Sequence, residues 1–343
     1  MTSNKPDVVL LFGGQSPEHD VSCMSASYVY SAIPKDLYSV TLIGIDHSGT
    51  WHKCPLPSDS LDSDHSLEPL LISGPGITPH ELFTSAAHNE LIVFPVLHGP
   101  NGEDGTIQGL LESFGVPYVG SGVLSSALCM DKIKSKEFLS AHGIPQVPWV
   151  SFHARDLDIA VEAVEQSTLQ FPLFVKPANM GSSIGVSKVL SSTDLGDAIA
   201  SARKYDEWII IEEFSPGREI EVAVLETGVV AISKPGEIVP GADFYDYADK
   251  YEDGATLHIP AELSDAEIET VQSLTADVFS LMRCRSLARI DFFYDSEGAG
   301  WLVNEINTMP GFTPISMYPK LWQESGVSYQ ELIVQLLESA IKQ

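Results

Sequence analysis

Asp7-Val-Val-Leu-Leu-Phe-Gly-Gly14 is the stretch that decides the fold class. Its apolar run from Val8 to Phe12 has no polar alternation, as a strand buried on both faces requires, and the glycine pair turns the chain. Outward from it, Ser22 to Ala32 has helical spacing with Ser22 in the capping position, and Tyr38 to Ile45 reads as the next strand. Such βαβ alternation predicts an α/β fold, with a parallel sheet covered by helices. Leu91–Leu97 reads as a further strand and Thr106–Phe114 as a helix closed by Gly115. Residues 47–88 are rich in Ser, Pro, Asp and His and read as an irregular insertion with weak elements. A first domain is placed at 1–120.

Beyond it the pattern changes. A helix is expected over Asp131–His142, closed by Gly143 and Pro145. Strands follow at 149–152, 173–177, 184–190 and 208–213, with helices near 157–167 and 193–205. This gives a small α+β domain at 121–213. The last domain, 214–343, opens with two strands near 219–234 and a long loop over 236–262. Ser264 with Glu267 forms a capping box for a helix to about Met282, and strands at 287–294 and 301–306 form a hairpin. Ser328 with Glu331 caps the last helix.

Composition narrows the function. The 343 residues include 19 Lys and Arg against 47 Asp and Glu, a formal charge of −28. That balance excludes nucleic acid and anionic membrane as partners, since both demand basic surface. No apolar run approaches the length of a membrane span, and MTSNKPDVVLLFGGQS reads as a first strand rather than a secretory signal. Cys23, Cys54, Cys129 and Cys284 are isolated in sequence, with no CxxC, so neither a disulfide framework nor a zinc site is expected. The expectation is a reduced, soluble, cytoplasmic protein. Basic residues are scarce: the first 131 positions hold only Lys5, Lys35 and Lys53, whereas Lys132, Lys176, Lys250 and Arg289 fall inside motifs. An anionic ligand would need those cations and metal besides.

Familiar nucleotide signatures are missing: there is no Walker loop and no G-x-G-x-x-G after the first strand. Gly181-Ser-Ser-Ile-Gly185 fits the nucleophile-elbow string, but strand-like residues follow it and His258 is the only downstream histidine, so a hydrolase is rejected. Lys176 to Gly185 reads better as a phosphate cover, whose glycines and small hydroxyls let backbone N–H groups approach an oxyanion. The plain alternative is a Gly-Ser hairpin. Arg289-Ile-Asp291 and Glu305-Ile-Asn307 are more specific. Residues i and i+2 of a strand share a face, so the hairpin can gather Asp291, Glu305 and Asn307, oxygen ligands suited to Mg²⁺. A solvated polar face is the alternative, but the following Thr308-Met-Pro-Gly-Phe-Thr313 turn, rich in backbone donors, favours the metal reading. His98 to Gly105 and the loop bearing Glu18 both leave strand ends, where open α/β sheets bind ligands. Glu103 and Asp104 also suit a helix cap there, and Glu18 alone could serve only a helix dipole.

Together these strings resemble the D-alanine–D-alanine ligases of the ATP-grasp superfamily. The carriers are LFGGQSPEHDVS (11–22), HGPNGEDGTIQG (98–109), MDK (130–132), FVKPANMGSSIGVSKV (174–189), IEEF with Glu219, FYDYADKY (244–251), LARIDFF (287–293) and VNEINTMPGFTPISMYP (303–319). The segment 47–88 resembles the family's longer form, and Gln15 and Met180 stand where the family varies. The resemblance implies a three-domain ATP-grasp architecture and ATP-dependent ligation of two D-alanines through an acyl phosphate, for peptidoglycan synthesis, in a homodimer formed through the N-terminal domain. It implies that Lys132 and Lys176 hold ATP phosphates under the Ser182–Ser183 backbone, that Glu212, Glu213 and Phe214 meet adenine, and that Glu219 meets the ribose. Asp291, Glu305 and Asn307 would hold two Mg²⁺, with Mn²⁺ as a substitute. Glu18 would take the ammonium of the first D-alanine, with His98 near its carboxylate. Arg289 and the Gly311 N–H would stabilise oxyanions, and Ser316 and Met317 would contact the second D-alanine. Lys250 and Tyr251 would close the site, Tyr251 joined to Glu18 through Ser182. The rivals are a D-lactate- or D-serine-adding ligase on the same scaffold and a nucleotide-binding protein without catalysis.

Overall fold

The computed structural model describes residues 5–57, 67–84, 91–155, 161–162, 164, 166–241 and 255–341. Strand β1 (Asp7–Gly13) is buried beyond its first residue, as its unbroken apolar run requires. Helix α1 (His19–Ala32) starts ahead of the expected cap. Ser22 is inside it: the Oγ accepts from the Gly13 N–H at 2.8 Å and donates to the Val96 carbonyl. This buried hydroxyl satisfies backbone groups leaving two strands, so it ties those strands rather than capping the helix.

There follow β2 (Ser39–Ile45), β3 (Trp51–Cys54), α2 (Pro79–Thr84), β4 (Leu91–Pro95) and α3 (Thr106–Phe114). The sheet order is β3-β2-β1-β4. The pairs β1–β2 and β1–β4 are parallel as expected, but β3 adds an antiparallel edge. Both β3 and α2 come from the segment expected to hold only weak elements; each is too short to show a period. Gly115 ends α3 at φ 64°, and its N–H reaches the Glu112 carbonyl.

The central part contains α4 (Val123–Met130), α5 (Lys132–Ala141), β5 (Trp149–His153), β6 (Leu173–Pro177), β7 (Ser187–Val189), α6 (Leu195–Ala202) and β8 (Trp208–Glu213). Helix α4 was not legible, because Gly122 precedes it without a side-chain cap. Asp131 caps α5, its Oδ1 accepting from Ile133 and Lys134 N–H at 3.0 Å. The sheet is antiparallel, in the order β5-β8-β6-β7. β7 is shorter than the expected 184–190, because the turn through Ser182, Ser183 and Gly185 uses up its beginning. The helix expected near 157–167 falls largely outside the described residues.

The remainder holds β9 (Arg218–Glu226), β10 (Val230–Ile232), β11 (Gly236–Val239), β12 (Thr256–His258), α7 (Asp265–Leu281), β13 (Leu287–Asp295), β14 (Gly300–Asn307), α8 (Met317–Glu324) and α9 (Tyr329–Ile341). Its sheet runs β12-β11-β9-β13-β14, with β10 paired to β9. The expected loop at 236–262 is corrected at its stems, where β11 and β12 pair antiparallel. Residues 242–254, including Lys250 and Tyr251, lie outside the described part. Ser264 and Glu267 form the expected capping box of α7, and Ser328 and Glu331 exchange the same bonds at α9.

Packing crosses these regions. Val8, Leu10 and Phe12 of β1 share a core with Leu332, Leu336 and Leu337 of the final helix, which contacts β4 and α1. Each such fully buried leucine contributes about 1.5–3 kcal/mol. Cys129 and Leu139 of α4 and α5 pack instead with β9, β13 and α7. Among the described residues, no helix is long and apolar enough to cross a membrane.

Candidate active site

A cleft of about 520 Å³ lies where the three sheets meet. Every expected site residue in the described part of the chain lines it, from Glu18 after β1 to Met317 at the start of α8. Lys250 and Tyr251 lie outside that part.

One wall is the face of the last sheet. Strand register sets Asp291 of β13 opposite Glu305 of β14 and Glu221 of β9, with Arg289 opposite Asn307 one step along. Directly opposed residues share a face, so the hairpin collects Asp291, Glu305 and Asn307 as period-two reasoning expects. Arg289 forks onto Asp291, with Nε and Nη2 donating at 2.8 Å each, and its Nε lies 2.9 Å from Glu221 Oε2. Asn307 Nδ2 donates to Asp291 at 3.0 Å. Burial acts against the Arg289 charge, but Asp291 and Glu221 outweigh it and hold its pKa well above the ordinary value. Glu221 was not anticipated. Its signal was the spacing Glu219-Ile-Glu221, another i, i+2 acid pair on a strand.

The facing wall is cationic. Lys132, at the start of α5, donates to the Met180 carbonyl at 2.6 Å and lies 3.7 Å from Glu305 Oε2. Lys176 of β6 lies 2.5 Å from Glu212 Oε2 on the adjacent β8, and Lys136 Nζ lies 2.9 Å from Glu212 Oε1. The Lys136 contact is an ion pair without hydrogen-bond alignment. Burial pushes the Glu212 carboxyl up, yet Lys136 and Lys176 outweigh it and hold its pKa down at about 2. Burial lowers Lys176 too, but Glu212 reverses this and raises it; for Lys136 burial prevails and lowers it. Neutralising Glu212 would leave two buried ammoniums without their anion, so the carboxylate stays charged. Lys136 was missed in the sequence, although it stands one helical turn after Lys132 on the same face.

Between the walls lie an apolar region and a cover. Phe174, Phe214, Met130 and Val186 line the former, with the two phenyl rings 6.1 Å apart. The cover is the β6–β7 turn, where Ser182, Ser183 and Gly185 all have positive φ. Successive left-handed residues of this kind expose backbone N–H groups at one point. Asn179 anchors the turn through two contacts to Asp206 Oδ2, at 2.8 and 2.9 Å. The Ser182 hydroxyl donates to Glu18 Oε1, and a Cβ on Gly181 would meet Glu18 Oε2 at 2.7 Å. The cover thus closes against the first loop.

At the far end, His98 contacts the Met309 carbonyl at 3.0 Å through Nδ1 and Ser25 Oγ at 3.1 Å through Nε2, while Ser25 Oγ accepts from the Phe312 N–H. Burial would lower the imidazole pKa, but Glu103, Glu18 and Met309 keep it raised. Of the two acids expected to cap α3, Asp104 accepts from the Thr106 N–H, whereas Glu103 accepts from Gly99 instead. Ser316 Oγ accepts from Thr313 N–H at 3.0 Å, and a Cβ on Gly311 would strike it at 2.7 Å. A separate group, His19, Asp20 and His47, brings ligand atoms within 4.8 Å of one another. Its imidazoles stack at 3.8 Å, so their in-plane lone pairs do not converge on one ion.

Residues 7–121 match the family described as D-ala D-ala ligase N-terminus, and residues 138–338 match D-ala D-ala ligase C-terminus. A D-alanine–D-alanine ligase of Deinococcus radiodurans is 44% identical over 99% of both chains. One of Acetivibrio thermocellus is 42% identical over 99% of this chain and 96% of its own. Among solved structures, the D-alanine–D-alanine ligase of Coxiella burnetii aligns with TM-score 0.81 at 36% identity, covering 99% of this chain and 95% of that one. The VanG D-Ala:D-Ser ligase of Enterococcus faecalis gives TM-score 0.81 at 32% identity, covering 97% and 98%.

Proposed function

The chain belongs to the D-alanine–D-alanine ligase family, with its ATP-grasp fold, and ligates two D-alanines with ATP; we propose that the residues of the cleft divide that reaction as follows. The observation that carries the assignment is the pair of opposed walls, one acidic and one cationic, meeting at a cleft roofed by a Gly-Ser turn. Lys132 and Lys176 hold the ATP phosphates, and the N–H groups of Ser182 and Ser183 cover them. Adenine takes the apolar region beside Phe214 and the β8 end at Glu212 and Glu213, and Glu219 accepts the ribose hydroxyls.

Asp291, Glu305 and Asn307 fit divalent metal, being hard oxygen donors on one sheet face with more negative charge than Arg289 balances. They would hold two Mg²⁺, or Mn²⁺, with Glu305 shared, and bound metal would neutralise phosphate charge there. Glu18 receives the ammonium of the first D-alanine, and His98 lies near its carboxylate. That carboxylate attacks the γ-phosphorus, an O–P bond forms, ADP leaves, and an acyl phosphate results. The neutral amine of the second D-alanine, placed by Ser316 and Met317, attacks the acyl carbon. Arg289 and the Gly311 N–H stabilise the tetrahedral oxyanion, then the C–O bond to phosphate breaks and the amine proton is lost. The acyl phosphate must be shielded from water. The Ser182–Glu18 contact supplies part of that shield, and Lys250 and Tyr251 are assigned the remainder.

The domain division 1–120, 121–213 and 214–343, a homodimer joined through the first of these, a cytoplasmic location and a place in peptidoglycan synthesis complete the proposal. The decisive experiment follows phosphate release from ATP with D-alanine as sole amino acid, then with equal D-alanine and D-lactate or D-serine, separating the products. D-alanyl-D-alanine should dominate at pH 7. Dominant D-lactate or D-serine incorporation would overturn the substrate assignment.

A further inference from the structure

We propose that Lys136 is a positioning residue for the ligation: it occupies one oxygen of Glu212, so that the Lys176 ammonium shares that carboxylate rather than being neutralised by it. The inference rests on the reading above, in which Lys176 binds nucleotide phosphate.

Lys136 is 2% exposed and does not line the cleft. It therefore cannot touch a nucleotide, and any influence on one passes through a neighbour. A buried ammonium is tolerated only where an anion compensates it. Here the anion is Glu212, itself 2% exposed, with Oε1 at 2.9 Å from Lys136 and Oε2 at 2.5 Å from Lys176. One carboxylate thus stands between two ammoniums, each with its own oxygen, and the trio carries one net positive charge. Without Lys136, Glu212 and Lys176 would form a closed neutral pair. The ammonium could then draw on both oxygens, and an incoming phosphate would have to compete with them.

The helix supplying Lys136 gives the arrangement its logic. Lys132 and Lys136 lie one turn apart on α5, whose start is fixed by the Asp131 cap. Lys132 borders the cleft directly, and Lys136 reaches it through the β8 carboxylate. A second exposed-or-buried contrast on the same helix separates this from chance. Lys134 points outward, with a 60% exposed side chain, and pairs with Glu137. The burial of Lys136 beside the nucleotide wall is thus specific to its position.

The test measures ADP affinity by calorimetry and steady-state kinetics in the full-length enzyme with Mg²⁺. Lys136→Met should weaken ADP binding and raise KM for ATP by roughly 10–100-fold, the size of a lost charged contact. KM for D-alanine should move less than about 2-fold. In a Glu212→Gln background the same substitution should change ADP affinity little, because the path runs through Glu212. Lys136→Arg should restore part of the loss. An unchanged ADP affinity in folded Lys136→Met would overturn the proposal. So would an equal loss in the Glu212→Gln background, or an equal effect on both substrates, which marks a merely structural pair. If Lys136→Met does not fold, Lys136→Gln, which keeps a polar partner for Glu212, is measured in its place: the same selective loss of ADP affinity is expected, and an unchanged ADP affinity would overturn the proposal. Lys176→Met separates the two readings: if it leaves ADP affinity intact, the phosphate assignment fails. If it weakens ADP while Lys136→Met does not, only the present inference fails.

Discussion

The two walls of the cleft use opposite charge patterns. On the β9–β13–β14 face, Glu221, Asp291 and Glu305 surround Arg289. On the α5–β6–β8 side, Lys136 and Lys176 flank Glu212, and Lys132 stands beside them within reach of Glu305. The cationic wall is built to receive anion directly. The acidic wall keeps a surplus that this chain, with 19 basic residues among 343, does not neutralise from its own side chains. Under the proposed function, a nucleotide seated between them would meet cations on one side and need added cations on the other. That difference accounts for a metal-dependent phosphoryl transfer in so acidic a protein better than either wall does alone.

The strongest way to break this comparison is to alter the acidic wall without changing its shape. Glu305→Gln should lower kcat by on the order of 10²–10³-fold while the circular dichroism spectrum stays native. Near-normal turnover in that folded variant would remove Glu305 from the metal assignment.

A smaller effect tests the other wall through pH. The folded pKa of Glu212, about 2, lies below its ordinary 4.5, so its pairing contributes stability that is complete above 4.5 and is lost as pH falls toward 2. The thermal midpoint of wild type should therefore fall more steeply between pH 4.5 and 2 than that of Glu212→Gln. Parallel slopes would mean that Glu212 is not held by its two lysines. The smallest expected effect belongs to Lys134, whose pair with Glu137 is solvated. Lys134→Ala should leave both Tm and ADP affinity in place; a loss matching that of Lys136→Met would show that α5 tolerates no charge change at all.

What was legible in the sequence was what repeats at short range. Arg289-Ile-Asp291 and Glu305-Ile-Asn307 announce their shared face by period two, and the small residues of 181–185 announce a tight turn. What was hidden depends on partners distant in the chain. Glu221 gains meaning only from its register with Asp291, and Lys136 only from Glu212. The strands β11 and β12 flank residues 242–254, and neither has enough residues to display alternation. Helix α8 starts at Met317 with Pro319 in its first turn, where no element is expected from the sequence. Ser22 shows the converse: a residue type that favours caps was used instead to satisfy buried backbone from two strands.

The final helix has a consequence for how the protein is made. Leu332, Ile333, Leu336 and Leu337 complete the apolar face that Val8, Leu10 and Phe12 begin. The first sheet to leave a ribosome therefore waits, partly uncovered, until residues 332–337 have been translated, at about 5–20 residues per second. For that interval the nascent chain carries an oily surface that α9 covers only later, so the N-terminal region settles after residues 329–341 have emerged.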